Sequence, residues 1–417
     1  LTAAKIKVYV NGSEVSSTSV SRTLSTATSL KEQRKEFGRT TTVTKQYGVQ
    51  YTLTIKGFTK SADQIKIQIP ANTLTDSSGN NNVATDMVLY SALASTIYEY
   101  NYTKAFLGNS KIQRQNIENI TFESSIPSTI YNASTGEYVN STAWDVSARK
   151  DKSIIAWYEK NNSQGALKVH IASDGEIYAN PDSRYLFNSI GYADICTATT
   201  AITNINLLNV SNVTNMDYMF YWCGVEAMTS LDLGNSFDTS NVTSMNSMFN
   251  MCGYRAMTSF DLGNSFDTSN VEDMSNMFKS CGRESMTTFS LGNNFNTSKV
   301  TDMSGMFSYF GDVLTNLNLG SKFDTGEVIS MSTMFLACGV SNIDLGSNFN
   351  TSKVKTMNNM FESCGFYSMT SLDLGDNFDT SEVTNMKSMF YRCGYKKMTS
   401  LNLGNKFNTT SVTDMSN

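Results

Sequence analysis

The 417-residue chain has one histidine, His170. A Ser-His-Asp or Cys-His nucleophilic site would depend on that residue alone, and a histidine-based zinc site has no ligand set to draw on. Charge is scarce as well: Asp, Glu, Lys and Arg make up 17% of the residues, and the net charge is -5 with both signs mixed along the chain. Nucleic-acid binding calls for a basic face, which this composition does not supply. No apolar run approaches the roughly 20 residues of a membrane span, so no membrane contact is expected within these residues.

What the chain has in abundance is repetition. From about Ile202 onward one phrase recurs, LDLGNSFDTSNVTSMNSMFNMCGYRAMTS at Leu231. Its first apolar position falls at Leu231, Phe260, Phe289, Leu317, Ile343, Leu372 and Leu401, in steps of 29, 29, 28, 26, 29 and 29 residues. A period in this range predicts a solenoid. Thr229–Leu233 alternates polar and apolar residues, as a half-buried strand does, and Gly234-Asn235 turns the chain. Asp238, Thr239 and Ser240 offer capping oxygens before Val242, Met245, Met248 and Phe249, whose spacing suits one stripe of a helical turn, and Gly253 ends it.

Equivalent positions form columns. Phe237 to Phe407, Phe220 to Phe390 and Val213 to Val412 recur in register, and stacked repeats would bury them against one another. Six of the seven cysteines, Cys223, Cys252, Cys281, Cys338, Cys364 and Cys393, share a column in which Phe310 fills one place. Stacked equivalents point in parallel, whereas a disulfide needs Cβ atoms converging to roughly 3.8 Å, so these read as buried free thiols acting as small hydrophobes. Cys196 stands outside the column and receives no role. The paired methionines, Met245 with Met248 and their equivalents, could offer soft sulfur to Cu(I), but beside Phe in every repeat they read as packing.

The run FDTSNVTSMNSMF, with its variants FDTSNVEDMSNMF and FDTSEVTNMKSMF, resembles the repeat of BspA-type leucine-rich-repeat surface proteins and related lipoproteins of bacteria. Trp144–Ser147, Ile155–Tyr158 and Ser173–Asn180 are similar to the segment that precedes such repeats, so the likeness covers about 106–417. It implies an extracellular or cell-surface bacterial protein that binds partners, and it brings no catalytic residues. Asp414–Asn417 stop partway through a repeat, and the expectation is a fragment whose signal peptide and anchor lie outside it.

Residues 1–95 read as a β-sandwich. Lys5–Val10 alternates and stops at Asn11-Gly12, and Tyr51–Ile55 and Gln64–Ile69 alternate likewise. Ile69–Gly79 is similar to the closing part of bacterial Ig-like domains, which implies a spacer. Asp76, Asn80, Asn81 and Asn82 could hold calcium, against the plainer reading of an Asx-rich turn. Residues 96–200 read as an α+β unit, with Ile112, Ile117 and Ile120 at helix-like intervals and strands at Ser153–Tyr158 and Ala166–Ile171, covering the first repeat. The fold expected is therefore an α+β solenoid, a right-handed leucine-rich-repeat-like stack of about eight repeats over 201–417, with an α+β cap and an N-terminal Ig-like β-sandwich.

Catalytic candidates are thin. His170 reads as an ordinary strand residue, and Asp151, Glu159, Asp174 and Glu176 could supply a glycosidase carboxylate pair, though nothing in their spacing singles them out. No enzyme and no cofactor is expected. The surface carries more information. Asp232, Asp261, Asp344 and Asp373, with Ser290, Asn318 and Asn402, should form an open row roughly 5 Å apart that could attract a cation or basic partner. Asn235, Asn264, Asn293 and Asn405 should form a ladder. Repeats differ most in the loop after Cys-Gly, where Tyr254, Arg255, Arg283, Phe366, Tyr367 and Tyr395 stand, with Trp222 beside them; aromatic and basic loop residues make binding hot spots. The expected role is adhesion to a host or neighbouring-cell protein or glycan. The alternative is a structural spacer or a self-associating surface-layer or filament component.

Overall fold

The computed structural model describes residues 105–417 apart from Arg149, and before them the strand segments between Lys7 and Thr96 together with Ala71. Asn11-Gly12 and the calcium candidates Asp76, Asn80, Asn81 and Asn82 lie outside the described residues. The chain divides into two compact units, 1–94 and 95–417.

In the first unit the alternating segments run as antiparallel strands. Ser13–Glu14, Lys7–Val10, Gln64–Ile69 and Thr85–Tyr90 form one sheet in that order. Ser21–Ala27 pairs with Gln50–Lys56, and Leu30–Glu36 pairs with Arg39–Lys45. For the region expected to form a β-sandwich, the described residues give one four-stranded sheet and two two-stranded ladders.

The second unit opens on a five-stranded mixed sheet, ordered Trp144–Asp145, Ile155–Lys160, Leu167–Ala172, Ile117–Glu123, Ala201–Thr203. Ile117–Glu123 runs parallel to both of its neighbours. Ile120, Phe122, Val169 and Ile171 are buried in the main core, and Ile155, Trp157 and Ala172 are buried with Ile130 in a smaller cluster. Sheets covered on both faces read as apolar runs, which fits Ile154–Trp157. The helix suggested by Ile112, Ile117 and Ile120 is instead a strand at Asn109–Gln113, one 3-10 turn at Arg114–Asn116 and the strand Ile117–Glu123.

The repeats correct the expectation further. Val242, Met245, Met248, Phe249 and Cys252 are all fully buried, but the segment is two consecutive turns and not a helix. Ser247 and Met251 take left-handed backbone conformations, as do Tyr218 and Trp222 before them and Asn276 and Ser280 after them. A left-handed residue at every fourth place ends α-helical winding. Hydrogen bonding shows what replaces it. The N–H groups of Met219, Tyr221 and Cys223 donate to carbonyls three residues back, while those of Met216, Tyr218, Phe220 and Trp222 donate to Ser244, Asn246, Met248 and Asn250 of the next repeat at 2.8–3.0 Å. Alternate donors thus serve the local turn and the neighbour, whereas an α-helix keeps them all within itself.

Among the described residues there is no α-helix, only 3-10 turns at Arg114–Asn116 and Ile205–Leu207. The repeat strands are three residues long and pair in twos: Ser259–Asp261 with Thr288–Ser290, Asn316–Asn318 with Asn342–Asp344, Ser371–Asp373 with Ser400–Asn402. No continuous sheet runs along the repeats. The α+β leucine-rich-repeat-like solenoid with an α+β cap is therefore overturned in favour of β-strands and turns among the described residues.

Side chains hold neighbouring repeats in register. Phe220, Phe249, Phe278, Phe307, Phe335, Phe361 and Phe390 stack with ring centroids 5.3–5.8 Å apart. Burying each ring is worth about 1.5–3 kcal/mol, before any gain from ring-on-ring contact. The Asp-Thr-Ser motif does not cap a helix. The Asp238 carboxylate accepts from the Ser240 N–H at 3.0 Å, and the buried Thr239 hydroxyl donates to the Asp267 carbonyl of the next repeat at 2.7 Å. Thr268, Thr297, Thr325, Thr351 and Thr380 repeat that second bond at 2.7 Å.

One further tier precedes the first repeat legible in the sequence. The N–H groups of Ser183, Tyr185, Phe187 and Ser189 donate to Asn215, Asp217, Met219 and Tyr221, and Phe187 stacks on Phe220 at 5.2 Å. Arg114, buried beside this tier, donates to the carbonyls of Tyr185 and Leu186 at 2.7 Å and so joins it to the mixed sheet.

Candidate functional site

The return loops after Cys-Gly stack in register, because each donates backbone N–H groups to the loop before it. Arg255 donates to Val225, Glu284 to Tyr254, Asp312 to Arg283 and Lys396 to Phe366, at 2.7–3.1 Å. Val225, Tyr254, Arg283 and Asp312 thus follow one another along an edge, as Phe366 and Tyr395 do farther on. Between these two stretches lies a shortened loop: Cys338 reaches Ile343 in five residues where Cys364 takes eight to reach Leu372, and Val340 is buried there.

Side chains on the first stretch satisfy one another. Arg255 pairs with Glu226 at 2.8 Å, and the Arg283 Nε donates to Asp312 at 3.1 Å. The Arg283 guanidinium also lies 5.9 Å from the Tyr254 ring centroid and 5.0 Å from that of Tyr309. Burial alone would lower its pKa, but Asp312 and Tyr254 hold it above the ordinary value. Trp222 packs against Tyr192 at 4.8 Å and Tyr221 at 5.5 Å, within an aromatic tract that continues to Tyr218 and Tyr185.

The second stretch is more open. Tyr367 is 73% exposed and Tyr395 62%. Phe366 stacks on Tyr395 at 5.2 Å and meets Tyr367 edge-on at 4.6 Å. The Lys396 ammonium lies 5.0 Å from the Tyr395 ring and 5.9 Å from the Phe366 ring, and Arg392 lies 5.0 Å from the Tyr391 ring. Sequence reading picks out Phe366, Tyr367 and Tyr395 but misses Tyr391 and Arg392, and it misses Glu226 and Asp312, whose pairing crosses between repeats.

The acidic row serves the backbone. Asp232, Asp261, Asp344 and Asp373 are exposed, and each carboxylate accepts from the N–H two residues on, at Gly234, Gly263, Gly346 and Gly375, at 2.8–3.1 Å. Ser290, Asn318 and Asn402 do the same at 2.8–3.2 Å. These side chains cap Asx- or Ser-type turns into left-handed glycines, which accounts for the narrow choice of residue there. Among the described residues no cluster of three or more His, Cys, Asp or Glu is arranged to hold a metal. Of the asparagine ladder, Asn293 donates to Asn264 at 2.9 Å, while Asn405 donates to Asp376 at 2.8 Å.

The thiol column is sealed. Cys223, Cys252, Cys281, Cys338 and Cys364 are buried and free, and Cys393 is half-buried. Burial, together with a hydrogen bond to Cys252, holds the Cys223 thiol well above its ordinary pKa. Hydrogen bonds to Cys338 and Cys393, reinforced by burial, do the same for Cys364. Cys196 sits apart, and burial raises it to about 11. Such thiols are poor nucleophiles.

His170 lies on Leu167–Ala172, its ring stacked on Trp157 at 4.9 Å and its Nδ1 2.9 Å from Glu123. Glu123 also lines a pocket of about 280 Å³ with Glu176, Asn206 and Asn209. Glu176 accepts from the Asn209 amide at 2.6 Å. Asp174 accepts from the Ile126 N–H, and hydrogen bonds from Ser153 outweigh burial to hold Asp151 below the usual carboxylate range. Of the four carboxylates considered for glycoside chemistry, Glu176 alone lines the pocket.

A family model described as "Mycoplasma protein of unknown function, DUF285" matches residues 193–284, 283–397 and 366–417, together more than half of the chain. No curated protein and no solved structure matches it.

Proposed function

We propose that this chain, which belongs to the DUF285 family, is a non-enzymatic binding protein that presents its return-loop edge to a protein or glycan partner. One observation carries the reading. The buried tiers repeat nearly residue for residue, while the stacked loops after Cys-Gly differ from repeat to repeat and expose Tyr367. Exposed aromatic rings grouped with cations are favourable contact surface, and nothing in the core requires them. A location at the cell surface or in the extracellular medium accords with the resemblance of the repeat to those of bacterial surface proteins.

The test is binding of the 417-residue chain to arrays of glycans and of host and bacterial surface proteins. A variant with Trp222, Tyr254, Tyr367 and Tyr395 changed to Ala is run beside it, with circular dichroism to check folding. A hit lost in the folded variant supports the proposal. No hit, accompanied by self-association in sedimentation, favours a structural element whose partner is its own copy.

A further inference from the structure

Three parallel strands of the mixed sheet bring their carboxyl ends to one place. Leu167–Ala172 and Ala201–Thr203 both run parallel to Ile117–Glu123, one on each side of it. The chain leaving Ile117–Glu123 next enters the sheet as Trp144–Asp145 at one edge, whereas the chain leaving Leu167–Ala172 re-enters it as Ala201–Thr203 at the other. Exits that diverge in this way leave a crevice outside the strand ends, which is where open parallel sheets hold ligands. The pocket of about 280 Å³ lies there, lined by Glu123 from the first exit, Glu176 and Ile177 from the second, and Asn206 and Leu207 beyond the third strand.

Two carboxylates share that pocket, and no lysine or arginine answers either. Glu123 stands 2.9 Å from the Nδ1 of His170, whose ring is fixed against Trp157. Glu176 accepts from the Asn209 amide at 2.6 Å and from the Tyr178 hydroxyl, both neutral donors. Among the described residues neither carboxylate forms an ion pair with a lysine or arginine.

We propose that this pocket binds an organic cation, a primary ammonium or guanidinium group carried on an aliphatic stem. Glu123 and Glu176 receive the charged head through charge-assisted hydrogen bonds, and the Asn206 amide oxygen is a further acceptor. Ile177 and Leu207 supply apolar wall for the stem, the division of labour by which long basic side chains bury their methylenes. The site stands apart from the return-loop edge, since none of these residues belongs to a return loop. A metal ion fits less well, because the described residues hold no group of three or more ligating side chains. An anion would meet two carboxylates of its own sign.

The test is calorimetric titration of the full chain with blocked lysine and arginine (the Nα-acetyl methylamides) and with spermidine. Blocked glutamine, as a neutral probe of similar size, and calcium chloride are run in parallel. Saturable binding of a cationic probe is expected at low salt, weakening as salt is raised. It should fall roughly tenfold or more in Glu123→Gln and in Glu176→Gln. Glu327→Gln, which removes an exposed ion pair farther along the repeats, should leave it unchanged. Tighter binding of the blocked side chains makes the occupant a basic residue of a partner protein, and tighter binding of spermidine makes it a free polyamine. The inference is overturned if no cationic probe binds, or if blocked glutamine or calcium binds as tightly as the cations, comparisons that need no variant. It is overturned equally if both glutamine substitutions leave binding intact. The chain with Trp222, Tyr254, Tyr367 and Tyr395 changed to Ala should bind the probes as before, so this inference and the loop-edge reading fail separately.

Discussion

The buried tiers and the return-loop edge are built from the same repeats and obey opposite rules. In the tiers, position dictates the residue: the Phe249 column stacks, the Thr239 column donates to the next carbonyl, and Phe310 takes a cysteine's place because the slot selects apolar bulk. On the edge, position fixes only where the backbone runs, and neighbouring loops carry Tyr254, Arg283 and Asp312 in turn. A scaffold whose stability resides in its interior leaves its rim free to vary.

If that division holds, substitutions in the tiers should dominate stability. Phe249→Ala removes a ring stacked between Phe220 and Phe278 and should cost about 3–5 kcal/mol, read as a lower urea midpoint. Next in size is Gly292→Ala. Gly292 has a φ of +73° and a Cβ there would stand 2.0 Å from the Gly263 carbonyl oxygen, so a loss of about 1–3 kcal/mol is expected in the same measurement. Thr297→Val keeps the shape but deletes the bond to the Asp324 carbonyl, for about 1 kcal/mol.

Smaller again is a pH effect. Hydrogen bonds from Ser381, with Lys406 nearby, outweigh burial and hold the Asp379 carboxyl below its ordinary value. A carboxyl with a lowered folded pKa contributes stability that is fully present above the unfolded value of about 4 and is lost as pH falls through the folded value. Urea midpoints measured at pH 6 and pH 3 should therefore converge slightly in Asp379→Asn. The smallest change belongs to the rim: Arg255→Ala breaks an exposed pair and should shift stability by less than about 1 kcal/mol. A rim substitution as damaging as Phe249→Ala would dissolve the comparison.

Burial was legible in the sequence and local geometry was not, for one physical reason. Met245, Met248, Phe249 and Cys252 fall at i, i+3, i+4 and i+7, the stripe of an amphipathic helix. Two successive turns broken by left-handed residues place the same four side chains on one side. A partial signal was present at the first interrupting position, in Ser247, Asn276, Gly305, Asn359 and Ser388, but not in Tyr218 nor at the second position, which holds Trp222, Met251 and Arg392; Gly and Asn tolerate that conformation best. Trp222, Tyr254, Phe366, Tyr367 and Tyr395 of the candidate surface were legible from the variation of the loops. Their carboxylate partners were not, because an ion pair between residues 29 positions apart exists only once the register is known.

The one-to-one register between neighbouring repeats bears on how such a gene changes length. Each ladder bond joins a residue to its counterpart in the adjacent copy or to the residue beside that counterpart, so duplicating or excising one block of 29 codons by unequal recombination leaves each interior residue with the same kind of neighbour above and below. What shifts is the distance between the loops on either side of that block. Recombination can thus adjust the spacing of two surface patches without any point mutation in either.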